Sequence, residues 1–217
     1  MASRLVMDSL AELAPTLGGI ASAPDLHEEE RATDRLTTMA EHAHASSLTH
    51  AAQRPPLYGM GTTLVMAHLL PLPKPRLLVL NVGDSRAYLV RAGTLTQLTR
   101  DHTPIEEYVR DGRLTPTQAA CHPNRHVLTR AMGLAPHLES DLFFFDLLDG
   151  DLLLLCSDGL TKMLTDERIL QTVRPHRHIP SLATQALIHT ALDAGGIDNV
   201  TLVACTIPEI PDQANIH

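Results

Sequence analysis

Apolar residues recur at two different spacings along this chain of 217 residues. Over residues 5–13, leucine and valine recur at helical spacing with polar residues between them, which predicts an amphipathic helix. A second helix is predicted to begin at Asp25, because Asp25 and Glu28 are spaced like a capping box, with Asp in place of the usual Ser or Thr. It is predicted to run to about His50, since a Pro-Pro pair at residues 55–56 ends it.

From residue 62 the pattern changes to short apolar runs bounded by turn residues, which predicts β-strands. The runs cover residues 62–70, 77–82, 87–90, 95–98, 141–145, 151–156 and 200–205. Because only Gly83-Asp84-Ser85-Arg86 separates the second run from the third, these two are predicted to pair as a hairpin. Further helices are predicted from Thr165 and over residues 182–192. Since hairpins dominate the middle of the chain, we expect largely antiparallel sheets.

An aspartate stands at the end of three of these strands. Asp84 follows the run 77–82, Asp158 follows the run 151–156, and Asp198 precedes the run 200–205, each with Gly nearby. If the three strand ends share one edge, their carboxylates converge and repel each other unless a cation neutralises them. Oxygen ligands without His or Cys indicate Mg²⁺, Mn²⁺ or Ca²⁺. The alternative for each one is an ordinary turn aspartate that bonds its own backbone, but three in such similar settings favour a divalent-metal site.

Composition excludes several classes of function. The net charge of −8 argues against nucleic-acid binding, and 3% aromatic residues without Trp argue against base stacking. Lys74 and Lys162 are the only lysines, so a polybasic lipid patch is not expected, and no apolar run reaches the roughly 18 residues of a membrane span. Three scattered cysteines suit a reducing cytoplasm. We therefore expect a cytoplasmic protein with no nucleic-acid or membrane partner.

Six collinear motifs resemble those of the metal-dependent Ser/Thr protein phosphatases, the PPM or type 2C family, in its bacterial form. They are MGTTLV at 60–65, NVGDSRAYL at 81–89, LTRDHT at 98–103, HPNRHVLTRAMG at 122–133, LLCSDGLT at 154–161 and GGIDNVT at 195–201. The resemblance implies an α+β fold, a four-layer α/β/β/α sandwich of two mostly antiparallel sheets. It also implies a single domain over residues 1–206, with a flap at about 103–126 and a C-terminal tail at 207–217.

The same resemblance implies a binuclear Mn²⁺ or Mg²⁺ site, with a weaker third ion near the flap. Asp158 and Asp198 match the acids that hold the second core metal, and Asp84 matches the acid that shares the third with Asp158. The implied reaction is hydrolysis of phosphoserine or phosphothreonine by a metal-activated water. The implied partners are phosphoproteins and a cognate Ser/Thr kinase.

The sequence departs from the family pattern at its beginning. The family's Arg-bearing strands and DGMGGH-type turn, whose Asp bridges both core metals, have no counterpart, and the first residues resemble the helix that follows that turn. We interpret the sequence as N-terminally truncated relative to the family, by a wrong start assignment or by real loss. No catalytic side chain is therefore assigned, and we expect this chain to be impaired.

Two rival functions stay open. Asp149-Gly150-Asp151 faintly resembles the aspartyl nucleophile of haloacid-dehalogenase-type phosphatases, although Leu153 stands where that motif has Thr or Val. The second rival function is a non-catalytic phosphatase-like module that binds a kinase or phosphoprotein.

Among the other polar residues, His102 is interpreted as structural rather than as a proton shuttle. His44 is interpreted as solvated on its helix, and Arg130 as paired with nearby acids rather than with phosphate.

Overall fold

The computed structural model describes residues 1–13, 27–70 and 74–207 of the chain. Helices and strands are mixed along the sequence. The helices are α1 Ala2–Leu13, α2 Glu28–Gln53, α3 Pro104–Arg110, α4 Pro116–Ala120, α5 Asp158–Thr161, α6 Asp166–Val173 and α7 Pro180–Asp193. The strands are β1 Leu64–Leu70, β2 Arg76–Val82, β3 Arg86–Arg91, β4 Thr94–Gln97, β5 Asp141–Asp146, β6 Leu152–Cys156 and β7 Leu202–Thr206. Short 3₁₀ turns cover Pro55–Leu57 and Arg174–His176.

The chain divides into two compact units, each with one sheet. Unit 1 comprises Met1–Ser85 and Thr99–Phe145, and unit 2 comprises Arg86–Leu98 and Asp146–His217. The sheet of unit 1 has the strand order β1-β2-β5, and the sheet of unit 2 has the order β4-β3-β6-β7.

Unit 1 buries one side of its sheet under two helices. β1 and β2 pair antiparallel from Leu64 opposite Val82 to Leu70 opposite Arg76. Apolar residues of α1 and α2 join those of β1 and β2 in one core cluster, among them Val6, Leu36 and Leu80. This cluster holds the end of β2, and therefore the turn that carries Asp84, in place.

Unit 2 is built around the leucine-rich strand β6, which pairs antiparallel with β3 and with β7. The core joins this sheet to α6 and α7 through apolar residues that include Leu154, Ile169 and Leu187. Thr165 caps the start of α6 by accepting a hydrogen bond from the Arg168 N–H group at 3.3 Å. The α6 helix start predicted at Thr165 is thereby confirmed.

The predicted hairpin between residues 77–82 and 87–90 is wrong. β2 has β1 and β5 as neighbours, whereas β3 has β4 and β6. The Gly83-Asp84-Ser85 segment carries the chain from one sheet to the other. The turn residues are typical of a hairpin. However, the apolar residues of β2 are buried in the unit 1 core, and both edges of β2 are paired with β1 and β5, so β3 cannot pair with it.

The mixed α+β class with two antiparallel sheets is confirmed. The four-layer stacking and the single domain over residues 1–206, with its flap and tail, stay predictions. Asp25, the predicted start of the second helix, lies outside the described residues, and α2 as described begins at Glu28.

His44 is not solvated, contrary to the prediction. Its ring is buried on α2, and its Nδ1 atom accepts a hydrogen bond from the Gly133 N–H group at 3.1 Å. Its Nε2 atom therefore carries the proton, which it donates to the Ala135 carbonyl oxygen at 2.9 Å. The helical pattern around His44 gave no sign of this bond, because its partners lie about ninety residues away along the chain.

Candidate functional site

Asp84 lies in unit 1, directly after the buried strand β2, and is 8% exposed. The backbone before it is held by uncharged hydrogen bonds. The Gly83 N–H group donates to the His102 Nδ1 atom at 3.1 Å, and the His102 N–H group donates to the Gly83 carbonyl oxygen at 3.0 Å. The Asn81 amide adds a bond to the same carbonyl at 3.2 Å and one to the Arg100 carbonyl oxygen at 2.8 Å. These bonds fix the direction in which the chain leaves β2.

Gly83 is required at this turn for two reasons. Its φ angle of +105° is one that residues with a Cβ atom disfavour. A Cβ atom added at residue 83 would also clash with the Thr63 side chain, because the Thr63 Cβ atom would be only 2.8 Å away. The Thr63 hydroxyl in turn lies 2.8 Å from the Ser85 hydroxyl. Residues from two of the family-like motifs, GTT and GDSR, therefore pack together around Asp84.

His102 is buried beside an ion pair. Its Nε2 atom lies 3.5 Å from the Asp141 Oδ2 atom and 3.5 Å from the Arg130 Nη1 atom. Burial lowers the pKa of His102 below its ordinary value; the Arg130 charge lowers it further, and Asp141 opposes both. Arg130 pairs with Asp141 at 2.8 Å and with Glu139 at 3.4 Å, which confirms its predicted pairing with nearby acids. The neutral ring suits a structural role, because its Nδ1 atom is occupied by Gly83.

Asp158 and Asp198 lie in unit 2, on two loops that are tied together. The Ser157 N–H group donates to the Thr201 carbonyl oxygen at 3.0 Å, and the Thr201 N–H group donates to the Ser157 hydroxyl at 3.0 Å. The same hydroxyl donates to the Asn199 carbonyl oxygen at 3.2 Å. These bonds hold the loop before Asp158 against the loop after Asp198.

Gly159 allows the two loops to approach this closely. A Cβ atom at residue 159 would fall 2.8 Å from the Asn199 carbonyl carbon and closer still to its oxygen. Asp158 itself begins the short helix α5. The glycine of the Ser-Asp-Gly sequence is therefore explained by packing of one backbone against another.

The Lys162 ammonium lies between the two carboxylates. Its Nζ atom is 2.5 Å from the Asp158 Oδ2 atom and 2.7 Å from the Asp198 Oδ2 atom. Although burial lowers the pKa of Lys162, hydrogen bonds to both aspartates outweigh it, and the pKa lies above its ordinary value. Sequence reasoning missed Lys162 as part of the site. The available signal was its position four residues after Asp158, one turn along a helix.

The structure thus brings two of the three predicted aspartates to a common cation within unit 2, while Asp84 belongs to unit 1. Among the described residues, no three His, Cys, Asp or Glu side chains are arranged to hold a metal ion. The assignment of the three acids as metal ligands stays a prediction.

Asp151, the second acid of the rival dehalogenase-like motif, is engaged elsewhere in unit 2. It is 2% exposed, and its carboxylate accepts hydrogen bonds from the Arg91 guanidinium at 2.9 and 2.6 Å. It also accepts one from the Leu148 N–H group at 2.8 Å. Such a carboxylate is a structural anchor for the turn before β6.

The chain is similar to known proteins in both sequence and structure. The model of the family described as protein phosphatase 2C matches residues 19–109. A serine/threonine phosphatase stp from Listeria monocytogenes is 34% identical over 203 residues, which cover 94% of this chain and 75% of the relative. The crystal structure of the Mycobacterium tuberculosis serine/threonine phosphatase PstP/Ppp superposes with a TM-score of 0.79 at 36% identity, covering 96% of this chain and 82% of that one.

The chain belongs to the bacterial PPM-type, or protein phosphatase 2C, family.

Other members of the PPM family differ in length from this chain. The serine/threonine protein phosphatase PstP of Mycobacterium tuberculosis is 39% identical over 193 residues, which are 87% of this chain but 36% of that relative. The chain therefore spans about a third of the length of this PPM relative. A structure of the PstP catalytic domain in complex with two manganese ions aligns with a TM-score of 0.76 at 34% identity, covering 96% of this chain and 81% of that one. In the described part of this PPM chain, no helix is both long and apolar enough to cross a membrane.

Proposed function

We propose that this protein hydrolyses phosphoserine and phosphothreonine in proteins, with Mn²⁺ or Mg²⁺ as its cofactor. The observation that carries the proposal is the convergence of Asp158 and Asp198 on one positive charge, at 2.5 and 2.7 Å. Family membership supports the reaction, because the relatives are named Ser/Thr protein phosphatases.

The residues of unit 2 fit a divalent cation. The donors are two carboxylate oxygens that already share a cationic partner, and hard oxygen donors are what Mg²⁺ and Mn²⁺ prefer. The manganese-bound PstP catalytic domain supports the same cofactor for this chain. When bound, a divalent cation supplies a Lewis acid that activates water and offsets negative charge on the phosphoryl group.

The protein's own residues have three tasks in this proposal. Asp158 and Asp198 hold the cation. Ser157 and Gly159 keep these two acids close, through the hydroxyl bonds and the close backbone approach described above. Asp84 takes part in a third, weaker cation site, and His102 orients the turn that carries it.

The test is Mn²⁺-dependent release of phosphate from a phosphothreonine peptide. Asp158→Asn and Asp198→Asn should each lower the rate roughly 100-fold, because each removes a charged ligand. Asp193→Asn is the matched control, since Asp193 is an exposed acid at the end of α7 in the same unit and its change removes the same charge. Equal activity of Asp158→Asn and Asp193→Asn would refute the assignment.

We further propose that these 217 residues are impaired as a phosphatase, since they contain no DGMGGH-type turn. Assay beside the PstP catalytic domain checks this, and an equal kcat/KM would contradict it. We propose as its partners phosphoproteins and the Ser/Thr kinase that makes them, and a cytoplasmic location, because three cysteines far apart in the sequence suit a reducing compartment.

The second candidate function is a non-catalytic module that binds a kinase or phosphoprotein. The observation that favours it is Lys162, whose ammonium contacts both carboxylates and offsets part of their charge. A chain that shows no turnover with Mn²⁺ but binds a phosphopeptide would support this module. Manganese-dependent turnover would decide against it.

A further inference from the structure

Lys162 occupies the space in which the proposed cation would be held. Its Nζ atom contacts one oxygen of Asp158 at 2.5 Å and one of Asp198 at 2.7 Å, and its side chain is 17% exposed. Both carboxylates therefore have one of their oxygens engaged by an ammonium group.

The ammonium and a divalent ion cannot share these oxygens. Mg²⁺ sits at about 2.0–2.1 Å from its oxygen ligands. An ammonium nitrogen within hydrogen-bond distance of the same oxygens would then lie within a few ångströms of a doubly charged ion, where like charges repel strongly. Binding of a divalent ion through these same two oxygens therefore requires the Lys162 side chain to leave.

The backbone keeps Lys162 near the site when its side chain leaves. The Lys162 N–H group donates to the Asp158 carbonyl oxygen at 2.8 Å, which closes the single turn of α5. A tethered group competes at a high effective concentration, unlike a cation in solution.

We propose that Lys162 is a built-in competitor for the cation site: its ammonium stands in for the metal between Asp158 and Asp198, and it sets the concentration at which a divalent cation fills the site. The inference rests on the proposed function, which assigns these two acids as ligands. It makes Lys162 a determinant of metal affinity, and it leaves the two carboxylates partly neutralised when metal is scarce.

The first test measures Mn²⁺ binding by titration calorimetry on the whole chain at 0.15 M salt. Lys162→Met should lower the Kd about tenfold, because two partly exposed ion pairs no longer compete. Lys162→Arg keeps the charge and should bind like the unchanged protein. Lys74→Met is the matched control, because Lys74 is the only other lysine, is exposed, and its change removes the same charge. A Kd for Lys162→Met equal to or above that of the unchanged protein overturns the inference.

The second test reads the position of the side chain directly. Mass spectrometry after brief treatment with an amine-acylating reagent reports the labelling of both lysines in one sample. Lys162 should react more slowly than Lys74 in EDTA and should speed up severalfold when Mn²⁺ saturates the site, while Lys74 stays constant. Continued protection of Lys162 at saturating Mn²⁺ contradicts the competition.

Asp158→Asn separates failure of this inference from failure of the proposed site. If Asp158→Asn abolishes Mn²⁺ binding but Lys162→Met leaves the Kd unchanged, the metal ligands stand and the competition is wrong. If neither the unchanged protein nor Lys162→Met binds Mn²⁺, the ligand assignment fails and the inference fails with it.

Discussion

The turns that carry the candidate acids are held differently in the two units. In unit 1 the turn before Asp84 is fixed by uncharged hydrogen bonds to the buried His102 and Asn81 side chains. In unit 2 the loops of Asp158 and Asp198 are held by partly exposed groups, a serine hydroxyl and an ammonium.

This difference predicts different sensitivities. Salt screens partly exposed ion pairs and has little effect on buried neutral hydrogen bonds. The unit 2 site should therefore respond to ionic strength and to added cations. The unit 1 turn should respond instead to the protonation of His102, because a charged ring cannot accept the Gly83 hydrogen bond. Unit 1 thus holds its turn through neutral hydrogen bonds, and unit 2 holds its loops through an ion pair that an added cation can replace.

The largest expected effect comes from Gly159→Ala in unit 2. The added Cβ meets the Asn199 main chain, which cannot rotate away as a side chain can. We expect a loss of about 3 kcal/mol in the free energy of unfolding, measured by urea denaturation.

Gly150→Ala is the control for this change. Gly150 lies in the same unit at a φ angle of +77° with no heavy atom within 4 Å of an added Cβ. It should cost about 1 kcal/mol through backbone strain alone. An equal cost for the two changes would show that the contact with Asn199 is not limiting.

Gly83→Ala should have a smaller effect, in unit 1. Here the added Cβ clashes with the Thr63 side chain, and the φ angle of +105° is strained for alanine. We expect a loss of about 2 kcal/mol in the free energy of unfolding, measured by urea denaturation. Thr63→Ser removes the Cγ2 methyl but keeps the hydroxyl that faces Ser85. The double change should therefore recover part of the loss, whereas Thr63→Ser should not rescue Gly112→Ala, whose site is open. Additive losses at residues 63 and 83 would argue against this contact.

Sequence reasoning located the elements well because their apolar periods are regular. It failed at the residues 83–86 turn because the local pattern of two apolar runs and a Gly-Asp turn is the same whether the strands pair with each other or with other strands. Which strand neighbours β2 is decided by contacts with β1 and β5, and no local pattern encodes these.

The candidate site shows the same limit. The three aspartates were visible because each stands next to an apolar run. The spacing of Asp158 and Lys162 was a readable signal, but the second partner of Lys162, Asp198, is distant in sequence. His44 was wrongly predicted to be solvated because its partner Gly133 is also distant in sequence. A charged or titratable side chain has no period, so a distant partner can be identified only from the fold.

The next effect in size is the pH dependence of unit 1. The folded-state pKa of His102 is lowered, by burial first, so the unfolded chain binds a proton at higher pH than the folded one. The stabilisation that the neutral ring contributes is complete above the ordinary pKa of about 6.5 and is lost as pH falls from there through the folded-state pKa.

His102→Asn tests this, because its side-chain oxygen can still accept the Gly83 hydrogen bond but does not titrate. It should cost about 1 kcal/mol at pH 8, through the lost contacts of Nε2, and should make urea denaturation less dependent on pH below 6.5. If the free energy of unfolding of His102→Asn falls with pH as steeply as that of the unchanged protein, groups other than His102 cause the pH dependence.

The smallest expected effect is at Ser157, where the two loops of unit 2 meet. Ser157→Ala removes the hydroxyl that accepts from the Thr201 N–H group and donates to the Asn199 carbonyl oxygen. These two backbone groups can then form hydrogen bonds with water instead. A loss of about 0.5 kcal/mol in the free energy of unfolding is expected.

Hydrogen exchange should show the loss of this hydrogen bond more clearly. The Thr201 amide should exchange faster in Ser157→Ala, whereas Ser157→Thr keeps the hydroxyl and should leave the Thr201 amide protected. The Gly83 amide of unit 1 should not change in either variant, because its acceptor is the buried His102 ring. Faster exchange at both amides would mean that the two turns open together, and the contrast between the units would then be lost.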